Sequence, residues 1–368
     1  MKILVAGDFC PQLRVAEAFE CEDYSSVLSE VQAVTKEADY SIVNFECPVV
    51  SGVAKPIGKI GPNLCCATNG VNAIKYAGFD CVTLANNHFF DYGKEGVAET
   101  ISALNKESVE YVGGGMNLIE ASQVLYKDIN GKRLAVINCC EHEFSIATET
   151  SAGSNPLNPI QQYYAIKEAK TKADYVLVIV HGGHEHWQLP SPRMVETYRF
   201  FIEVGADAVV NHHQHCYSGL EVYLGKPIFY GLGNFCFDKN NHRNDFWNEG
   251  YMVMLSFDDA IGYEILPYHQ CSNDPKVVLL PKNAFETNIK ELNVILTNNK
   301  LLREKTEEYY ASAIRFSDFL EPIRTRAYMA CKKRGYLPSF VSKSRKLEAR
   351  NYIQCEAHRD ILQWYLEH

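Results

Sequence analysis

Five short polar islands, each after an apolar run, carry residues able to hold a metal ion and move a proton: Gly7-Asp8, Asn44-Phe45-Glu46, Asn86-Asn87-His88, His181 with Glu185, and His212-His213-Gln214-His215. Asp, Glu, Asn and His are hard-to-borderline ligands suited to manganese, iron, zinc or magnesium. Taken singly, each island has an ordinary explanation: an Asp after a Gly is often a turn or N-cap residue, and an Asn at a strand end often opens an Asx-turn. Six of the 12 histidines gathered in two clusters do not reduce to that. His213 and His215, two residues apart, can turn both rings into one pocket from an extended segment, and Asn44 and Glu46 share one side of another. Glu46 offers a carboxylate able to bridge two cations, and Asn44 an amide oxygen. His88, one residue after a candidate ligand, is placed to give a proton to a leaving group.

Residues so far apart in sequence meet only if the strands preceding them are neighbours. A parallel sheet gathers the carboxyl ends of its strands along one edge, where open α/β folds place their ligands. Short β-branched runs alternate with helical patterns over most of the chain, which predicts βαβ units and a largely buried sheet. Predicted strands are Lys2 to Ala6, Tyr40 to Val43, Asp80 to Leu84, Leu134 to Ile137, Tyr175 to Val180, Ala208 to Val210, Pro227 to Tyr230 and Tyr251 to Phe257. Leu134 to Ile137 runs into Asn138-Cys139-Cys140-Glu141-His142 rather than a ligand island. Apolar stripes predict helices through Val27, Leu28, Val31 and Val34, through Val97, Ile101 and Leu104, and through Val195, Tyr198 and Ile202. Ser145 to Pro159, rich in Ser, Thr, Asn, Gly and Pro, reads as a loop able to move over the site.

The chain of 368 residues is 46% hydrophobic and 22% charged, an ordinary globular composition, and its net charge of -9 argues against a nucleic-acid partner. Residues 286–368 hold 15 Lys+Arg against 11 Asp+Glu, whereas residues 1–285 hold 21 against 34. After Pro281 the pattern turns to long helical segments, Ile289 to Phe316 and Asn351 to Glu367, with no further polar island. The expected division is therefore a catalytic-type domain over 1–282 and a helical extension over 283–368. The extension is expected either to dock on a partner or an anionic membrane surface, or to pack back through a stripe such as Ile353, Ile361 and Trp364. The 13 cysteines show no repeated metal-clamp spacing and read as reduced, mostly buried thiols. With no signal-peptide pattern and no long apolar run, the expected location is cytoplasmic, peripheral to the membrane if the tail binds it.

The ordered strings above, together with Asp91, Gly93, Tyr230-Gly231-Leu232-Gly233-Asn234-Phe235 and Phe237-Asp238, resemble the poly-γ-glutamate capsule-biosynthesis (CapA-type) family of the calcineurin-like metallophosphatase superfamily. The resemblance implies an α/β sandwich of two mixed sheets flanked by helices, holding one or two divalent ions. It implies one ion on Asp8 and His215, a second on Asn87, His181 and His213, and Glu46 as bridge with Asn44 as its rival. It further implies His88 as proton donor with Asp91 orienting it, and Asn44, Glu185 and Asn234 near an anionic small-molecule or polymer substrate. The implied function is a metal-dependent hydrolase of a phosphoester or related anionic bond in capsule or envelope polymer metabolism. The alternatives are a γ-glutamyl or other amide-bond hydrolase or transferase, and a non-catalytic assembly scaffold for a capsule-synthesis partner. Two positions depart from the pattern. Asp8-Phe9-Cys10 stands where many metallophosphatases read Asp-x-His, so Cys10 is either a thiolate ligand or a buried inert thiol, and Gly182 replaces a Trp.

Overall fold

The structure, a computed structural model, describes residues 1–52, 54–59, 61–312, 320–354 and 366. Two mixed sheets form its centre. The first runs in the order Val277–Leu279, Ile261–Gln270, Glu249–Phe257, Lys2–Phe9, Tyr40–Phe45, Cys81–Thr83 and Glu110–Val112, with Asn234–Cys236 added beside the end of Lys2–Phe9. The last four strands of that path are mutually parallel, and the first three pair antiparallel. The second sheet runs Leu220–Tyr223, Lys226–Phe229, Ala208–His212, Tyr175–His181, Lys132–Cys140 and Leu125–Ile129, parallel in the middle and antiparallel at both edges.

Strand alternation sorts the apolar side chains into two cores. Ile3, Val5, Tyr40 and Ile42 face the second sheet and join Val136, Val178 and Val209. Leu4, Ala6, Val43 and Phe45 face the other way, onto Val15, Phe19, Val71 and Ile74 of the covering helices. The far face of the second sheet is covered by helices Pro159–Lys172 and Pro192–Val204 through Ile166, Met194, Tyr198 and Phe201. The result is the expected sandwich of two mixed sheets flanked by helices.

Three local expectations change. The stripe Val27 to Val34 belongs to two short helices, Tyr24–Leu28 and Val31–Thr35. The Leu134 strand extends over Lys132–Cys140. The stretch from Ser145 to Pro159 is tied down: Gly153–Ser154 pairs with Gly114–Gly115, and Ser154 Oγ donates to the carbonyls of Leu84 and Asn86 at 3.1 and 3.0 Å.

The chain divides into two compact units, Met1–Arg303 and Glu304–His368, later than the 282/283 boundary read from sequence. The physical reason is helix Glu286–Thr297, whose Ile289, Leu292 and Leu296 join the inter-sheet core with Phe285 and Leu302. Asn293 of that helix also accepts the Leu220 backbone N–H at 2.7 Å, and Phe285 stacks on Tyr217 with centroids 4.6 Å apart. In the second unit, helix Arg326–Lys333 is joined to the following loop through buried Glu321, which accepts from Tyr328 Oη at 3.1 Å and the Phe340 N–H at 3.1 Å. Helix Lys343–Gln354 follows, with Ile353 exposed, and Ile361 and Trp364 of the expected stripe lie outside the described residues. Among the described residues no helix is long and apolar enough to cross a membrane.

Candidate metal centre

Parallel register brings the islands together. Asp8 is level with Asn44 on one side and Asn234 on the other, and His181 is level with His212. The crossing at Asp8 depends on two glycines. A Cβ on Gly7 would stand 2.0 Å from the Gly233 carbonyl oxygen, which accepts the Asp8 N–H at 3.1 Å, and Gly233 itself has φ of +81°. His213 and His215 adopt left-handed φ of +90° and +57°. Non-glycine residues held there cost about 1–3 kcal/mol each and cluster at functional sites.

His181 Nε2 is the hub of one ligand group, 3.1 Å from Asn87 Oδ1, 3.1 Å from His213 Nδ1 and 3.5 Å from Glu46 Oε1. A second group joins Asp8, Glu46 and His215, with Glu46 Oε1 3.8 Å from His215 Nε2 and Asp8 Oδ2 3.6 Å from His215 Nδ1. Neighbouring ligands of a cation with bonds of about 2.0–2.2 Å stand about 3.0–3.5 Å apart, so the first group already has the spacing of a coordination shell. Glu46 belongs to both groups.

The electrostatics fit a cation. Glu46 is fully buried, and among the described residues neither carboxylate oxygen has a hydrogen-bond partner. Burial, then the charge of Asp8, pushes its carboxyl well above the usual range. A buried carboxylate with no partner is strongly disfavoured, and a metal ion would supply the missing partner. At Asp8 burial also raises the carboxyl, but His212, His181 and His215 outweigh it and hold it below the usual range. Burial, reinforced by His213, holds His181 well below an ordinary imidazole, and burial brings His215 down to about 4 despite Asp8 and Glu185. Lowering the pKa favours the neutral imidazole, the form that ligates metals.

The sequence reading places Asn44 and Asn234 at the substrate; the structure buries both beneath the ligands. Asn44 Nδ2 donates to Asp8 Oδ1 at 2.8 Å, and its Oδ1 accepts from Thr83 Oγ1 at 3.1 Å. Asn234 Oδ1 lies 2.9 Å from His215 Nδ1, which directs His215 Nε2 toward Glu46, while its amide donates to the carbonyls of His215 and Trp247 at 3.1 and 3.2 Å. Neither has a free edge at the mouth. His212, given no role from sequence, lies with Nδ1 3.3 Å from Asp8 Oδ1.

Above the ligands, His88 Nδ1 lies 2.6 Å from Asp91 Oδ2. The structure adds Lys59 to this pair: its buried ammonium contacts Asp91 Oδ1 and lies 3.2 Å from His88 Nδ1. Lys59 comes from an irregular Gly- and Pro-bearing segment with no periodicity, so nothing in the sequence singled it out. Glu185 is half exposed at the mouth; burial raises its carboxyl, but His215, His213, His186 and His88 together leave it lowered. Trp247 forms one wall, with ring centroids 4.8 Å from His215 and 5.0 Å from His242.

Cys10 lies in the helix-side core with Cys47 and Cys66, burial pushes its thiol up, and it joins neither ligand group among the described residues. At Gly182 a Cβ would stand 2.6 Å from the Glu141 side chain, which pairs with Arg193 at 2.7 Å. The Glu141 side chain thus fills the space beside Gly182, where the resemblance expects a Trp.

Fold and site together define an α/β protein with a buried, two-position ligand cluster at one edge of its sheets. The chain belongs to the bacterial capsule synthesis protein PGA_cap family, whose match covers residues 2–239. It is similar to the capsule biosynthesis protein CapA of Bacillus anthracis, at 31% identity over 85% of this chain and 75% of that one. It is also similar to the PGA biosynthesis protein CapA of Bacillus subtilis (strain 168), at 32% identity over 63% of this chain and 62% of that one. Among solved structures, a 5'-nucleotidase precursor from Thermus thermophilus aligns with a TM-score of 0.45 and 12% identity over 80% of this chain and 58% of that one, too distant to carry an argument.

Proposed function

We propose that this protein is a metal-dependent hydrolase acting on a phosphoester or related anionic bond in the metabolism of a capsular or envelope polymer. The observation that carries the reading is Glu46, a fully buried carboxylate without a hydrogen-bond partner among the described residues, shared by two groups of imidazoles and carboxylate. Asp8, His215 and Glu46 would hold one divalent ion, and Glu46, Asn87, His181 and His213 a second. Bound divalent ions polarise a substrate oxygen and lower the pKa of water enough to make a nucleophile near neutral pH. The chain's own residues supply the rest. His88, its Nδ1 held at Asp91, has Nε2 as the nitrogen left to protonate a leaving group, and Lys59 with Asp91 fixes the ring. Glu185, half exposed, stands beside the cluster, and Trp247 packs against His215.

The polymer context is carried over from the relatives, named for capsule and PGA biosynthesis. Those names favour a second reading, in which the same site acts on a γ-glutamyl amide. The test is metal analysis of purified protein, then stripping and add-back of manganese, iron, zinc and magnesium against phosphomonoesters, phosphodiesters and γ-glutamyl peptides. Metal-dependent turnover of a phosphoester is the expected result. Turnover confined to γ-glutamyl peptides would replace it with the second reading, and stoichiometric metal with no turnover of any substrate would point to an assembly scaffold.

A further inference from the structure

We propose that Glu143 is a positioning carboxylate of the second metal position, orienting two of its ligands at once, an inference that rests on the reading of the cluster as a metal site. Asn87 and His213 each have an inner and an outer polar atom. The inner atoms, Asn87 Oδ1 and His213 Nδ1, both lie 3.1 Å from His181 Nε2. The outer atoms face Glu143: Asn87 Nδ2 donates to Glu143 Oε2 at 3.2 Å, and His213 Nε2 lies 3.8 Å from Glu143 Oε1.

The chemistry follows from what each ligand can present. An amide whose NH2 is bonded outward must turn its oxygen inward, where a cation takes it. A neutral imidazole carries one ring hydrogen, and a carboxylate beside Nε2 favours the tautomer with hydrogen there and the lone pair on Nδ1. Glu143 therefore selects the ligating edge of Asn87 and the ligating nitrogen of His213 with one side chain. It also places a second carboxylate beside a position whose one carboxylate ligand would be Glu46.

The backbone places Glu143 there from both sides. The Glu141 N–H donates to the His181 carbonyl at 3.0 Å, and Ser145 Oγ accepts the Phe90 N–H at 3.4 Å. The segment is thus anchored to the strand end carrying His181 on one flank and to the turn carrying Asn87 and His88 on the other. The Glu143 side chain itself is 39% exposed, so its replacement opens no core cavity.

The test compares wild type, Glu143→Gln and Glu143→Ala as full-length, metal-stripped protein titrated with Mn2+ by calorimetry and with Co2+ by visible absorption. Loss of a partner of this kind typically lowers metal affinity about 10- to 100-fold. In Glu143→Ala one class of bound ion is expected to weaken by that factor with a changed Co2+ spectrum, while the other class and the unfolding midpoint of the metal-free protein stay at wild-type values. Glu143→Gln, which keeps an acceptor for Asn87 but no charge for His213, is expected to fall between. Wild-type affinity at both positions in Glu143→Ala overturns the inference while leaving the metal reading intact. A lowered metal-free midpoint in both variants assigns Glu143 to folding and also overturns it. Failure of wild type to bind either ion overturns both.

Discussion

His213 and His215 sit in left-handed backbone, which a chain adopts at non-glycine residues only where surrounding structure over-determines it. His213 meets Glu46 and His181, His215 meets Glu46 and Asp8, and both lie outside the two apolar cores. Replacing both, His213→Ala with His215→Ala, is therefore expected to abolish bound metal while leaving a soluble, folded protein; stoichiometric metal in that variant would sink the assignment. His88 makes a different prediction because it touches Asp91 and Lys59 rather than a ligand group. His88→Asn should keep the metal and lower turnover by roughly the 10² to 10⁴ of general acid catalysis, with smaller losses on substrates whose leaving group needs no proton. Equal losses across leaving groups would count against proton donation. The residues of the two candidate groups could be singled out in the sequence because each occupies a short island after an apolar run. Lys59 and Glu143 were not, because they reach the site from irregular segments, and only tertiary contacts reveal them. Asn44 and Asn234 could be recognised as part of the site, but whether an amide faces substrate or a ligand depends on register.

The site exists because strand ends are level. Asp8, Asn44 and Asn234 share one register position in the first sheet, and His181 and His212 share one in the second. Gly7 is the point at which this arrangement is most exposed to a single change. Gly7→Ala places a methyl 2.0 Å from the Gly233 oxygen, so the ends of Lys2–Phe9 and Asn234–Cys236 must separate. Overpacking of this kind costs about 1–3 kcal/mol, and here the displaced residues are Asp8 and Asn234. The expected outcome is a lower denaturation midpoint together with weaker metal binding, measured on the same preparation; a normal midpoint with normal metal binding would show that the pairing is not needed. The longer parallel strands were legible because strands buried on both faces read as unbroken apolar runs, whereas Glu110–Val112 and Asn234–Cys236, three residues each, were too short to form one. Leu125–Ile129, Leu220–Tyr223 and Ile261–Gln270 escaped notice because they pair antiparallel and are partly exposed, with Lys127, Glu221 and Glu264 breaking any run.

Across the whole molecule the open question is the role of the tail, and its true start changes how that is tested. Helix Glu286–Thr297 looks like part of the tail in sequence because its exposed face is charged, yet Ile289, Leu292 and Leu296 are core residues of the first unit. Leu296→Ala alone, at a fully buried position, should destabilise by about 2–5 kcal/mol in a denaturant titration. A chain ending near residue 285 discards that helix and is expected to be insoluble or unfolded. A chain ending at Arg303 keeps it, and is expected to retain metal and cooperative unfolding at the wild-type midpoint. What it lacks is a segment that, over residues 320–354, holds 9 Lys+Arg against 2 Asp+Glu and exposes Tyr336, Phe340 and Leu347. Basic side chains interleaved with exposed apolar ones suit an anionic membrane surface, with attraction that weakens as salt rises. The full chain should therefore associate with vesicles containing anionic lipid at low ionic strength and release at high, whereas the chain ending at Arg303 should not associate at either. Loss of metal or solubility on cutting at Arg303 would instead make residues 304–368 a structural requirement of the metal-binding unit, and equal vesicle binding by both chains would place the membrane contact elsewhere.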